Sequence, residues 1–181
     1  MGGMTIFTIG HSTRSIEEFI DLLRSHGITQ LVDIRTVPKS LKNPQYQQTA
    51  LRESLPSAGI DYTYLKELGG LRPKAKQSTN TAWRNQSFRN YADYMQTEEF
   101  TAGIVRLMEL AKKSPTAIMC AEAVPWRCHR SLVGDALVVR EVSVQDIMSA
   151  TSVKPHTLTS FAVTNGTTVT YPGDEADDGE N

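Results

Sequence analysis

The chain has 181 residues, of which 39% are hydrophobic and 22% are charged, and its net charge at neutral pH is −1. This length suits one domain with a packed core, and the composition excludes a disordered, collagen-like or coiled-coil chain. No run approaches the roughly 18 apolar residues of a membrane span, and the first ten residues lack the pattern of a signal peptide. We therefore expect a cytoplasmic protein with no membrane partner.

The first half of the chain alternates predicted strands and helices. A β-branched apolar run predicts the first strand, and Ser15 followed by Glu18 has the pattern of a helix capping box. Residues 71–86 are polar and basic without periodicity, which in a compact domain indicates a functional loop. Apolar spacing predicts strands at residues 4–9, 28–34 and 60–65, and a short helix at residues 46–55.

The second half continues this alternation and ends in a hairpin. Asn165-Gly166 between β-rich flanks predicts a β-hairpin over Phe161–Tyr171. Pro125 can start a helix. Periodicity predicts helices at residues 87–95, 98–113 and 129–140, and strands at residues 116–120 and 142–147.

Strands that alternate with helices predict a single α/β domain with a mostly parallel sheet, helices on both faces and a C-terminal β-hairpin. We divide the chain into an α/β domain with a strand-end crevice (residues 1–150), a hairpin extension (151–171) and an acidic, disordered tail (172–181). The tail holds five acidic residues and no basic ones.

Positive charge is concentrated in residues 35–89, which contain ten basic and three acidic residues, a local charge of +7. Positive charge mixed with aromatic rings suits phosphate contact and base stacking. The alternative is a solvated surface with ordinary core aromatics. The rings concerned are Tyr46, Tyr62, Tyr64, Trp83 and Phe88.

Polar side chains follow four of the predicted strands, where a parallel sheet collects its ligands. Because the carboxyl ends of these strands share one edge, we expect the side chains to line one crevice, with Arg35 facing Asp33 or Glu122. The residues at these strand ends are His11, Ser12, Asp33, Arg35, Tyr64, Cys120 and Glu122.

Residues 120–130 hold the densest run of reactive groups. If a helix starts at Pro125, then Cys128, His129 and Arg130 lie in or near its first turn, where free N–H groups attract anions. A phosphate or carboxylate site is one interpretation. In the other, Arg130 forms a salt bridge to an acidic residue of the crevice and His129 is a hydrogen-bonded core histidine.

These motifs resemble a known family. Thr8-Ile-Gly-His-Ser12, Val32-Asp-Ile-Arg35, Leu68-Gly-Gly70 and the Cys120-x-Glu122 and Cys128-His-Arg130 pairs are similar to the family catalogued as domain of unknown function 488, over residues 4–148. The resemblance implies a small bacterial or archaeal α/β domain whose motif positions include the crevice residues. It implies no reaction.

Three enzymatic hypotheses remain open for the crevice. In the first, Glu122 with His11 or His129 acts as acid/base or nucleophile while Arg35 and Arg130 hold a phosphate, as glycosidic chemistry on a nucleotide or nucleic acid would need. In the second, Cys120 is a thiolate nucleophile. Six residues separate Cys120 from Arg127 in the sequence, whereas a cysteine phosphatase has five between its cysteine and its arginine. All these readings suit a hydrolase or transferase.

In the third hypothesis, the two cysteines and His129, with His11 or Glu122, bind zinc or iron, although their spacing is unusual for zinc. We predict no cofactor and reduced, metal-free cysteines, since the compartment is reducing and the ligand spacing is irregular. A non-catalytic nucleic-acid binding module is the alternative to an enzyme, without a known DNA- or RNA-binding pattern to support it. The sequence leaves the substrate and the oligomeric state open.

Overall fold

The computed structural model describes residues 3–173 of the chain. Its strands are β1 (Thr5–Gly10), β2 (Gln30–Asp33), β3 (Asp61–Tyr64), β4 (Thr116–Cys120), β5 (Ser143–Ser149), β6 (Ser152–Pro155), β7 (Val163–Asn165) and β8 (Thr168–Thr170). Its α-helices are α1 (Ile16–Ser25), α2 (Gln48–Ser57), α3 (Gln86–Tyr94), α4 (Glu98–Lys113) and α5 (Arg130–Val138). Short 3-10 turns lie at Pro44–Tyr46, Lys66–Leu68 and Pro125–Arg127.

The main sheet has six strands in the order β3-β2-β4-β1-β5-β6. Its first five strands run parallel, and β6 pairs with β5 in the antiparallel sense. β2 and β4 are buried along their whole length, as expected for central strands of a sheet covered on both faces. The predicted α/β fold with a mostly parallel sheet is confirmed.

The sheet separates two hydrophobic cores. Successive residues of β4 point to opposite faces, so Ile118 packs in one core while Ala117 and Met119 pack in the other. Helices α1 and α2 cover the second of these faces, and α3, α4 and α5 cover the first. The capping box predicted for α1 is present: the Ser15 hydroxyl accepts from the N–H of Glu18.

The predicted C-terminal hairpin is confirmed as β7 and β8, with Gly166 at the turn in the left-handed region (φ 61°). It packs on the body of the domain, because Tyr171 is buried in the same core as α3, α4 and α5. The Tyr171 hydroxyl donates to the buried Asp135 carboxylate at 2.7 Å, and His156 Nε2 lies 2.8 Å from the same carboxylate. Residues 174–181, most of the predicted acidic tail, lie outside the described residues.

Two local predictions differ from the structure. β6 was not predicted, because its exposed residues carry no alternating apolar pattern. Pro125, a possible helix start, begins a single 3-10 turn, and α5 begins at Arg130, within one residue of the start predicted for the helix at residues 129–140. Cys128 between them has an extended backbone (φ −131°, ψ 145°), so it precedes the helix rather than lying in its first turn.

Candidate active site

The candidate site lies where β1 and β4 end side by side. The chain leaves β1 toward α1 on one face of the sheet and leaves β4 toward α5 on the other. Neighbouring strands whose connections run to opposite faces open a crevice at their carboxyl ends. The N–H groups of His11 and Ser12 extend the pairing by donating to the carbonyls of Cys120 and Ala121, so both loops start from a rigid edge.

Gly10, the last residue of β1, allows the loop after β4 to fold over this edge. A Cβ at Gly10 would lie 1.5 Å from the Glu122 carbonyl oxygen. Arg130 Nη1 donates to that same carbonyl at 2.7 Å. The Glu122 carbonyl therefore lies between Gly10 and Arg130, and no side chain larger than hydrogen fits at position 10.

A cleft of about 430 Å³ opens on one side of this loop. One wall comes from the ends of β2 and β4, and another from the start of α3, whose N-terminus contributes a positive dipole end. The residues that line it include Arg35, Thr36, Gly70, Leu71, Asn85, Ser87, Phe88, Cys120, Glu122, Arg127, Cys128 and His129.

Cys120 lies in this cleft with a guanidinium against its sulfur. Arg130 Nη1 donates to Cys120 Sγ at 2.9 Å, and Arg130 itself is only 1% exposed. Burial alone would raise the pKa of the Cys120 thiol, but the neighbouring Cys128 thiol and the charge of Arg130 lower that pKa below its ordinary value. The arrangement favours a thiolate at Cys120.

Cys128 has the opposite character. Burial raises the pKa of the Cys128 thiol well above its ordinary value, and the neighbouring Cys120 raises it further. The backbone N–H of Arg130 donates to Cys128 Sγ at 3.4 Å. Both cysteines are free thiols, so the site pairs an acidic thiol with a weakly acidic one.

His129 is neutral and oriented by the backbone. Its Nε2 donates to the Ile34 carbonyl at 2.9 Å, which leaves Nδ1 without a proton, 3.5 Å from Cys128 Sγ. Burial lowers the pKa of His129 to about 4. The alternative reading of His129 as a hydrogen-bonded histidine agrees with this geometry, and the imidazole also stands in the cleft wall.

Arg35 presents an unused donor to the site. Its Nε and Nη2 bind the Asp33 carboxylate at 2.9 and 2.7 Å, as the sequence predicted, and the Tyr62 hydroxyl donates to Asp33 at 2.6 Å. Arg35 is 5% exposed, yet its Nη1 has no partner within residues 3–173. A buried guanidinium nitrogen without an acceptor in a cleft wall suits a ligand that brings an anionic oxygen.

His11 and Ser12 line a neighbouring cavity of about 470 Å³ rather than the cleft. His11 stacks on Tyr46, with ring centroids 4.1 Å apart, and its Nδ1 donates to the Ser12 carbonyl at 2.8 Å. Burial lowers the pKa of His11 to about 4. Its Nε2 is then an acceptor, and no described residue donates to it. Glu122 lines both cavities and separates them.

The expectation that one pocket holds all the crevice residues is therefore corrected. Asp33 and Arg130 are buried and do not line the cleft. Arg130 makes no ion pair with a described carboxylate, because carbonyl oxygens and the Cys120 sulfur occupy its guanidinium. Tyr64 also lies outside the lining: its hydroxyl donates to the Thr36 carbonyl at 2.6 Å. The start of α3 was missed, since no local pattern shows that it reaches this edge.

Two aromatic rings of the basic segment, those of Tyr46 and Trp83, pack within the fold. Tyr46 is fully buried, and Trp83 contacts Phe88, Phe161 and Tyr171 with ring centroids 4.8 to 5.4 Å apart. A buried ring cannot stack on a base, so the ordinary reading of core aromatics is correct for Tyr46.

Among the described residues, no three His, Cys, Asp or Glu side chains are grouped so that they could hold a metal ion. Over residues 3–173, none of the helices has both the length and the apolar character needed to cross a bilayer.

Acid is expected to destabilise the fold through His129. An unfolded histidine titrates near pH 6.5, whereas burial lowers the pKa of the folded His129 to about 4. The unfolded chain therefore binds the extra proton between these values, and His129 alone should cost about 2 kcal/mol of unfolding free energy between pH 7 and pH 5. Urea denaturation at both pH values measures the loss. His129→Gln should remove the part of the pH-dependent loss that comes from His129 and leave the part that comes from His11. If the variant loses as much unfolding free energy between pH 7 and pH 5 as the native protein, His129 is not the group that titrates.

The fold and the site define a class of protein: a doubly wound α/β domain whose cleft at the strand ends is lined by cysteines. The chain belongs to the DUF488 family, described as a domain of unknown function, whose family model matches residues 15–137. A search of curated proteins found no match, and neither did a search of solved structures.

Proposed function

We propose that this protein is an enzyme that uses the Cys120 thiolate as a nucleophile on a small anionic ligand. The observation that carries the proposal is the 2.9 Å contact between Arg130 Nη1 and Cys120 Sγ at the wall of the cleft. A thiolate is a far better nucleophile than a thiol, and a buried guanidinium is a strong device for keeping it charged.

The charge of the cleft favours an anion. Arg35 Nη1 lacks an acceptor within the described residues, and the exposed Arg127 also lines the cleft. The N-terminus of α3 adds its dipole. Glu122 is the opposing charge; its exposed carboxylate stands at the border of both cavities, where it could exchange protons with a bound ligand. A phosphate-bearing ligand and a carboxylate-bearing ligand both satisfy these groups.

A second candidate function uses Glu122 as the nucleophile or acid/base and the His11 cavity as the second half of a longer site. The unpartnered Nε2 of His11 favours it, since a ligand hydroxyl or amine could donate there. Glycosidic chemistry on a nucleotide or nucleic acid belongs to this candidate. We rank it second because Glu122 has no hydrogen bond to orient its carboxylate within residues 3–173, whereas Cys120 is held by Arg130.

Alkylation of Cys120 by reagents of different charge tests the first candidate. Iodoacetate carries a carboxylate and iodoacetamide does not, so the rate ratio relative to a free small thiol isolates the anion preference. We expect Cys120 to favour iodoacetate by about tenfold over that reference at low salt, as steering by fixed charges does. Inorganic phosphate should slow the reaction by competing for the cleft.

Arg35→Met should remove both the preference for iodoacetate and the protection by phosphate. Arg24→Met is the matched control, because Arg24 is exposed and binds the Ala58 carbonyl at 2.8 Å, away from the cleft. A folded protein whose Cys120 resists both reagents, or reacts without regard to their charge, would refute the proposal. Loss of a Glu122-dependent activity in Glu122→Gln, with full activity in Cys120→Ser, would promote the second candidate.

A further inference from the structure

We propose that Cys120 and Cys128 form a dithiol that reduces small anionic disulfides, with Cys120 as the attacking thiol and Cys128 as the resolving thiol. This rests on the proposed function, and it names the substrate as an electrophilic sulfur compound rather than a phosphoryl or glycosyl group. The observation behind it is that both sulfurs lie in the wall of one cleft and contact the same residue, Arg130.

The two thiols are placed for exchange. Cys120 ends β4, and Cys128 follows the 3-10 turn that brings the chain back to the same wall. Each thiol is among the groups that shift the pKa of the other. Arg130 contacts both sulfurs, with its Nη1 on Cys120 Sγ at 2.9 Å and its backbone N–H on Cys128 Sγ at 3.4 Å. Because both sulfurs contact one residue and line one cleft wall, we infer that side-chain movement brings them to bonding distance.

The second thiol distinguishes disulfide exchange from phosphoryl transfer. Phosphoryl transfer leaves a second thiol in the cleft wall without a role, whereas disulfide exchange requires one.

The reaction takes place in two exchanges. The Cys120 thiolate attacks one sulfur of the substrate disulfide, an S–S bond forms to Cys120, and the first substrate thiolate leaves with the electron pair of the broken bond. Cys128 then loses its proton to solvent and attacks Cys120 Sγ, which expels the second substrate thiolate. Both leaving thiolates take protons from water. The protein loses two electrons as its disulfide forms, and the substrate gains them; an external dithiol restores the reduced protein.

The order of attack follows from two different contacts of Arg130: its guanidinium donates to Cys120 Sγ, and its backbone N–H donates to Cys128 Sγ. The guanidinium favours a thiolate at Cys120, and the charge of Cys120 raises the pKa of Cys128. Once Cys120 is in a mixed disulfide, that charge is gone, while the backbone N–H of Arg130 still contacts Cys128 Sγ. Cys128 therefore ionises more easily after Cys120 has reacted.

Two disulfides of opposite charge test the proposal. Glutathione disulfide carries carboxylates, and cystamine carries only ammonium groups. We expect the reduced, full-length protein to react with glutathione disulfide about tenfold faster than with cystamine, relative to a reference thiol. Mass spectrometry should then show a protein lighter by two hydrogens, with the peptides of Cys120 and Cys128 joined. Cys128→Ser should instead accumulate glutathione on Cys120, and Cys120→Ser should form neither product.

The outcomes separate this inference from the proposed function. If Cys120 reacts with iodoacetate but Cys128 never displaces glutathione from it, the resolving role is wrong and the nucleophile proposal stands. If Cys120 reacts with neither reagent in the folded protein, both fail. Equal reaction with cystamine would refute the anionic substrate class.

Discussion

Replacing Arg130 with methionine is expected to slow the alkylation of Cys120 at neutral pH by at least about tenfold, because the charge that lowers the pKa of its thiol is removed. Arg130 also donates to the carbonyls of Glu122 and Ala123. These part-buried carbonyls would lose their partner, so we also expect a loss of about 3 kcal/mol of unfolding free energy. The pH dependence of iodoacetamide modification and urea denaturation measure the two effects.

A control separates the two consequences of this change. Arg140→Met removes another partly buried arginine, whose Nη1 donates to the Ala136 carbonyl within α5. It should cost some stability and leave the reactivity of Cys120 as it was. If Arg130→Met also leaves the pH profile of Cys120 unchanged, the guanidinium does not set the ionisation of this thiol.

Replacing Asp33 with alanine is expected to have the second large effect. Asp33 is fully buried and holds Arg35 through a bidentate pair, with the Tyr62 hydroxyl as a third partner. Removing one partner of a buried pair leaves an uncompensated charge, which typically costs about 3–5 kcal/mol. Urea denaturation should show this loss, and the preference of Cys120 for iodoacetate should fall as Arg35 loses its fixed position.

Asp61→Ala is the matched control, because Asp61 is an exposed aspartate at the start of β3, the strand next to β2 in the sheet. Its replacement should change the unfolding free energy by less than about 0.5 kcal/mol. Equal losses in the two variants would show that the Asp33–Arg35 pair contributes nothing special to the fold.

Local sequence patterns were sufficient for most of the fold. The bounds predicted for the strand at residues 116–120 agree with β4, since a short apolar run after a proline-stopped helix has few alternatives. Gly166 fixed the hairpin because its turn needs a positive φ. β6 could not be predicted, because it is an exposed edge strand that is held by pairing with β5 and has no buried face to give an apolar pattern.

The sequence predicts where the candidate site lies, but it does not predict which atoms its side chains contact. Parallel strands bring their carboxyl ends to one edge, so Cys120 and Arg35 could be assigned to the same region from the chain alone. The partners of Arg130 could not, because a sulfur and two carbonyls replaced the carboxylates that residue type suggests. The split between the cleft and the His11 cavity depends on how one loop folds over Gly10.

The ultraviolet absorbance of thiolate as a function of pH shows whether Cys120 is ionised in the native protein. We expect a thiolate signal that titrates below the usual pKa of a cysteine, near 8.5. This signal should persist in Cys128→Ser, which keeps the contact between Arg130 Nη1 and Cys120 Sγ, and disappear in Cys120→Ser. A native protein without thiolate absorbance until pH values above that usual pKa would contradict the claim that Cys120 is an activated nucleophile.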